Sequence, residues 1–158
     1  MNKTKWKVYA FYIALSELVG LLAGLLSRNA VKLYEQTALK PALSPPGWLF
    51  PVVWTLLYLL MGVGAARIAL KAEGPDRTNA LRVFFAQLAV NFVWPLLFFN
   101  ASAYGAAFVC LVVLWALIVW MTLSFRELDR PAALLQLPYL LWVAFAGYLN
   151  FGVWMLNR

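Results

Sequence analysis

The sequence contains no histidine and a single cysteine, Cys110. Without imidazole there is no His general base, haem ligand or His-bound metal. A lone thiol inside an apolar run excludes both a disulfide framework and a Cys-x-x-Cys site. Charge is also scarce: charged residues make up 12% of the 158, against ~25% in an average soluble domain. Four of the six acids (Glu73, Asp76, Glu127, Asp129) fall in polar connections among Lys and Arg. Hydrolytic triads and metal hydrolysis therefore have almost no material, and neither a metal nor an organic cofactor is expected. What is abundant is apolar. Hydrophobic residues form 65% of the chain, which at ~20 residues per bilayer crossing is enough for about five spans. This excludes a soluble globular enzyme, a disordered chain and a nucleic-acid module. The net charge of +7 is spread between apolar runs and forms no block, the pattern of loops flanking membrane spans, so no nucleic-acid partner is expected.

Five apolar runs lie near residues 8–26, 48–70, 83–99, 104–125 and 132–156. They predict an all-α integral membrane bundle of five transmembrane helices, forming a single domain over residues 1–158. The first run follows Lys3, Lys5 and Lys7 as a signal peptide's would. It is long for such a core, carries Glu17 and lacks a small-residue cleavage site, so a retained helix is expected. Pro51 suits the first turn of the second helix, where no donor is lost, and Pro95 falls near the end of the third. Residues 27–47 read as one long loop ending Lys40-Pro41-Ala42-Leu43-Ser44-Pro45-Pro46-Gly47. Its prolines stiffen it into a lid rather than a tether. The remaining connections are short and favour an up-down bundle. Nine basic residues (Lys3, Lys5, Lys7, Arg67, Lys71, Arg77, Arg82, Arg126, Arg130) fall on one side and four (Arg28, Lys32, Lys40, Arg158) on the other. This bias predicts a cytoplasmic N-terminus in a bacterial plasma membrane, with the Pro-rich loop outside.

Aromatic residues make up 16% of the chain. An interfacial belt accounts for Trp6, Tyr104, Trp154 and Trp48. Trp54, Trp94, Trp115 and Trp142 fall deeper in their runs, where a belt does not explain them. Helical spacing places Phe50, Trp54, Tyr58 and Met61 on one face of the second helix. Gln87, Asn91, Trp94 and Phe98 share a face of the third, and Trp142, Ala146, Leu149 and Asn150 a face of the fifth. Such stripes are ordinary bundle core, and interhelical hydrogen bonds alone can occupy Gln87, Asn91 and Asn150. Three aromatic faces, each with an amide, beneath a stiff loop also describe an apolar pocket with a few polar contacts, the usual form of a small-molecule site. Glu17 is the one acid within a span, a functional candidate on that ground. Gly20 and Gly24 form a GxxxG helix-packing pattern.

The stretch Lys40-Pro41-x-x-Ser44-Pro45-Pro46-Gly47-Trp48-x-Phe50-Pro51-x-x-Trp54-Thr55-x-x-Tyr58 resembles the translocator protein family, also called tryptophan-rich sensory proteins or peripheral benzodiazepine receptors. Two further blocks agree in order and spacing: Gln87-Leu88-x-x-Asn91-x-x-Trp94-x-x-x-Phe98-Phe99, and Pro138-Tyr139-x-x-Trp142-x-x-x-Ala146-x-x-Leu149-Asn150. The resemblance implies a five-helix bundle, commonly a homodimer, whose pocket is closed by the first loop and takes porphyrins such as protoporphyrin IX, sterols or benzodiazepine-like compounds. It further implies light-dependent porphyrin breakdown in some bacterial members, with two pocket tryptophans that match Trp54 and Trp142. By the same carry-over Pro45, Trp48, Phe50, Pro51, Tyr58, Asn91, Trp94, Phe98, Ala146 and Leu149 line the pocket, and Asn150 joins them from its helical face. The sequence departs from the family at Leu43, where many members carry Trp, and at Tyr34, which stands without a preceding Trp. The C-terminal sterol pattern fails at Phe151, so no sterol specificity is expected.

The expected function is therefore a membrane receptor for flat hydrophobic ligands, porphyrins foremost, held between Trp54 and Trp142. Light-driven porphyrin degradation is a secondary expectation. The rival is a small proton-coupled multidrug exporter using Glu17, and a third reading is a scaffold acting only through partners.

Overall fold

The computed structural model describes residues 2–158. Six helices follow one another: α1 (Lys3–Thr37), α2 (Leu49–Lys71), α3 (Gly74–Pro95), α4 (Tyr104–Leu128), α5 (Arg130–Leu134) and α6 (Leu137–Leu156). Counting α5 with α6, and α3 with the turn that follows it, five of these stretches are long and apolar enough to cross a bilayer. In hydrocarbon every backbone polar group needs an internal partner, which an all-helical chain provides. The protein is an integral membrane protein built as a five-helix bundle.

Three boundaries differ from the sequence expectation. The loop expected at 27–47 is helical as far as Thr37, leaving a connection of only residues 38–48. Hydropathy drops at Arg28, yet Val31 and Tyr34 stay on the inner face while Arg28, Lys32 and Gln36 are exposed. The helix thus turns amphipathic without breaking. In the same way α3 begins at Gly74 rather than 83, because Pro75 in its first turn suits a helix start and the polar first turns remain helical. Beyond Pro95, whose missing N–H interrupts the ladder, residues 96–100 widen into a π-turn in which the Ala101 N–H reaches the Leu96 carbonyl at 2.9 Å. The fifth run, expected over 132–156, is interrupted at Leu135 and Gln136, just ahead of Pro138. The Ala132 carbonyl at this break accepts instead from Gln136 Nε2 at 3.2 Å.

α1 runs along α2, α3 along α4, and α4 against α5 and α6, while α1 also meets the π-turn. The crossing of α1 and α2 is close because Gly62 lies against the backbone of Tyr12 and Ile13. A solid core of Met61, Ile68, Phe84, Ile118, Met121 and Phe125 fills the half of the bundle that holds the α2–α3 and α4–α5 turns. There Asp129, between α4 and α5, accepts from Arg67 Nε at 2.6 Å, Arg67 Nη2 at 3.1 Å and Lys71 Nζ at 3.2 Å. It also caps α5 by accepting from the Ala132 N–H. The Arg67 hydrogen bonds hold its carboxyl below the usual carboxylate range, against the opposing effect of burial. The stability Asp129 contributes is thus fully present above pH ~4 and lost as pH falls through its lowered value. We expect the melting temperature of the wild type to fall as pH drops below about 4, with a shallower fall in Asp129→Asn. Equal slopes in scanning calorimetry would show that this carboxylate is not coupled to folding.

Candidate ligand chamber

The other half of the bundle is hollow. A cavity of about 830 Å³ opens between α1, α2, the end of α3 and α6, beneath the 38–48 connection. Its floor is a run of buried hydrogen bonds crossing three helices. Tyr58 Oη donates to Asn91 Oδ1 at 2.5 Å, Asn91 Nδ2 to Tyr139 Oη at 2.7 Å, and Tyr139 Oη to Gln87 Oε1 at 2.7 Å. Gln87 Nε2 then donates to Met61 Sδ at 3.6 Å. The intramembrane amides are thus satisfied by one another and by phenols, as groups in hydrocarbon must be.

Aromatic rings form the walls. Trp54 lies 5.6 Å from Tyr58 and 6.2 Å from Tyr139, centroid to centroid. On the α3 side Trp94 packs on Phe98 at 5.3 Å, and Phe98 meets Tyr34 of α1 at 5.3 Å. Trp94 Nε1 donates to Asn150 Oδ1 at 2.9 Å, and Asn150 Nδ2 to the Tyr104 carbonyl at 2.9 Å, latching α3 and α4 to α6.

The connection over the chamber is strapped down. Asn157 grips Leu39 twice, accepting from its N–H at 2.9 Å and donating to its carbonyl at 2.8 Å. Tyr148 Oη donates to the Ala42 carbonyl at 2.8 Å, and Pro41 packs on Gly152, where a Cβ would overlap the proline ring. Lys40 pairs with Glu35 of α1 at 2.8 Å and lies over the Tyr34 ring. Leu43, at φ 67°, occupies the left-handed region that suits glycine or asparagine, in a turn closed by Ser44 Oγ donating to the Pro41 carbonyl.

Ten of the thirteen expected residues line this chamber: Pro45, Phe50, Pro51, Trp54, Tyr58, Trp94, Phe98, Ala146, Leu149 and Asn150. Three do not. Trp48 immediately precedes α2 and is 70% exposed. Asn91 is buried in the floor behind Tyr58. Trp142 stands behind Phe50, edge-on at 5.8 Å, with its Nε1 buried and without an acceptor. Trp54 and Trp142 therefore do not face each other across the space. The aromatic stripes of the sequence do not place α1 in the wall. Glu17, Gly20, Gly24, Ser27, Val31 and Tyr34 line it in alternating steps of three and four residues. A stripe so rich in small residues was the available signal, since it marks a helix face that does not fill the space before it.

Residues 12–155 match the TspO/MBR family. The chain is similar to a tryptophan-rich protein TspO of Chlorobaculum tepidum, 39% identical over 149 residues that cover 94% of each chain. Protein CrtK of Rhodobacter capsulatus is 34% identical over 151 residues, 95% of this chain and 92% of that one. The translocator protein of Ovis aries is 37% identical over 121 residues, 75% of this chain and 72% of its own.

Proposed function

The chain belongs to the TspO/MBR family, and from that premise we propose that the chamber is a receptor site for flat hydrophobic ligands, with porphyrins such as protoporphyrin IX as the leading candidates. One observation carries this reading: an 830 Å³ chamber, walled by aromatic rings and covered by a strapped connection. Its size falls within the ~300–1,000 Å³ of small-molecule pockets. Flat rings stack on Trp54 and Phe50, while Lys40, in the lining near the connection and paired with Glu35, has further N–H donors for the polar edge of a ligand. The bilayer is the second partner. We further propose that the end carrying nine of thirteen basic residues faces the cytoplasm of a bacterial cell and that the protein works as a homodimer. Accessibility labelling of single cysteines and crosslinking in native membranes test these two points.

The test of the receptor reading is a titration of tryptophan fluorescence with protoporphyrin IX in nanodiscs, with empty discs as control. Saturable quenching is expected, and Trp54→Phe should lose a large part of its amplitude. Strictly linear quenching in both proteins removes the proposal.

Light-dependent breakdown of the porphyrin is a second reading, favoured by the oxidisable indole of Trp54 in the chamber wall. The porphyrin is the photosensitiser, molecular oxygen the oxidant, and the protein supplies the indole and a largely dry enclosure. Bleaching under light and oxygen that proceeds unchanged in the Trp54→Phe, Trp142→Phe double variant would leave no role for the indoles.

A further inference from the structure

The charges of the lining are unevenly matched. Among the described residues the chamber is lined by three charged side chains: Lys40 and Glu35, which neutralise each other at 2.8 Å, and Glu17, which has neither an ion pair nor a hydrogen bond. Eighteen residues of α1 separate Glu17 from Glu35, ~27 Å at 1.5 Å per residue, so the Lys40–Glu35 pair lies far from it. Glu17 stands deep in the chamber. One turn further along the same face, Gly20 is pressed onto the Tyr58 ring so tightly that a Cβ would overlap it. This fixes the Glu17 end of the wall about one helical turn from that ring.

Two physical constraints then define what this carboxylate can take. A carboxylate at membrane depth is costly without a counter-charge. The second constraint is the route. Leu18 and Leu21 line the chamber while being 49% and 58% exposed, so its α1 flank opens toward the apolar phase. A hydrated inorganic cation does not arrive through hydrocarbon, whereas a cation carried on an apolar body does. The Tyr58 ring lies about one helical turn from Glu17 and Trp54 about a turn beyond it, and the faces of both rings attract a cationic group as well as stacking on a flat one. Ser27, ten residues and ~15 Å further along α1, adds one directional contact toward the connection end of the chamber. Its buried hydroxyl lines the chamber without a partner, although Ser16, Thr37, Thr55 and Thr122 each donate to the carbonyl four residues back.

We propose that Glu17 is the anchor of a subsite for lipophilic organic cations, so that the chamber selects flat apolar ligands bearing a positively charged nitrogen over their neutral isosteres. This rests on the chamber being a ligand site, and the experiment separates the two claims. The probes are N-methylacridinium and 9-methylanthracene, which share a three-ring outline and differ in charge. Both are titrated by quenching of tryptophan fluorescence in nanodiscs and corrected with empty discs. In the wild type the cation should bind about tenfold more tightly, a difference of ~1.4 kcal/mol. Glu17→Gln should bring the two affinities together by weakening that of the cation, and Glu17→Asp should keep most of the preference. Saturable binding of both probes with no preference in the wild type overturns the assignment and leaves the receptor reading standing, as does a preference that survives Glu17→Gln. Saturation by neither probe overturns both. If Glu17→Gln fails to fold, Glu17→Ala replaces it, and the wild-type comparison of the two probes decides in any case.

Discussion

Phenylalanine in place of Gly24 is expected to weaken ligand binding strongly and leave the bundle folded. α1 and α2 run antiparallel, with Gly20 against the Tyr58 ring. One turn up α1 therefore corresponds to one turn back along α2, which brings Gly24 level with Trp54. At Gly20 a Cβ would overlap the Tyr58 ring, whereas at Gly24 it would meet no atom within 4 Å, and Gly24 lines the chamber. A phenyl group there enters the space in front of the Trp54 indole, where a flat ligand has to stack. The helix itself gains, since glycine in a helix interior costs ~1 kcal/mol relative to better formers. Porphyrin affinity should fall at least about tenfold, equivalent to ~1.4 kcal/mol, with the melting temperature unchanged or slightly higher. Unchanged affinity in a folded Gly24→Phe protein would mean that ligand binds elsewhere. A collapse in stability would mean that the space is not there to be filled.

The opposite result is expected at Gly62. Its Cβ would lie 2.5 Å from Ile13 Cα and 2.8 Å from both Ile13 N and the Tyr12 carbonyl oxygen. All of these are backbone atoms of α1, so no side chain can swing aside and the two helices have to separate. Overpacking of this kind typically costs ~1–3 kcal/mol. The intrinsic gain of alanine over glycine, ~1 kcal/mol, offsets only part of it. Gly62→Ala should therefore lose about 1 kcal/mol of stability, measured by denaturant or thermal unfolding in detergent. It should also weaken ligand binding, because α1 forms a wall of the chamber. Stability equal to the wild type would show that the α1–α2 crossing is looser than this geometry. Together the two glycines distinguish a residue kept small by helix contact from one kept small by empty space.

Much of this could be read from residue order. Apolar run lengths are a local property, so five spans were legible, and the stripes of α2, α3 and α6 follow from helical periodicity. Ten chamber residues came from those stripes and the family-like blocks. The misses have a common cause. Asn91 shares a face with Trp94, but only the approach of Tyr58 and Tyr139 turns its amide into floor rather than lining. Trp142 shares a face with Ala146, and Phe50, arriving from another helix, stands in front of it. The extension of α1 to Thr37 was hidden because hydropathy reports where a membrane ends, not where a helix does.

Composition and periodicity decided that this chain resides in a bilayer, crosses it five times as helices and gathers aromatic rings along helix faces. These are consequences of solvent and backbone geometry acting on neighbours in sequence. Only the packing of the helices decided which faces meet and which stand apart. Gly62 lets α1 touch α2 in one half, while aromatic rings and a strapped connection frame an unfilled space in the other. A void is a relation between elements distant in the chain, and no local pattern encodes it. For the same reason the deep, unpaired Glu17 became a candidate anchor only once the walls around it were in place.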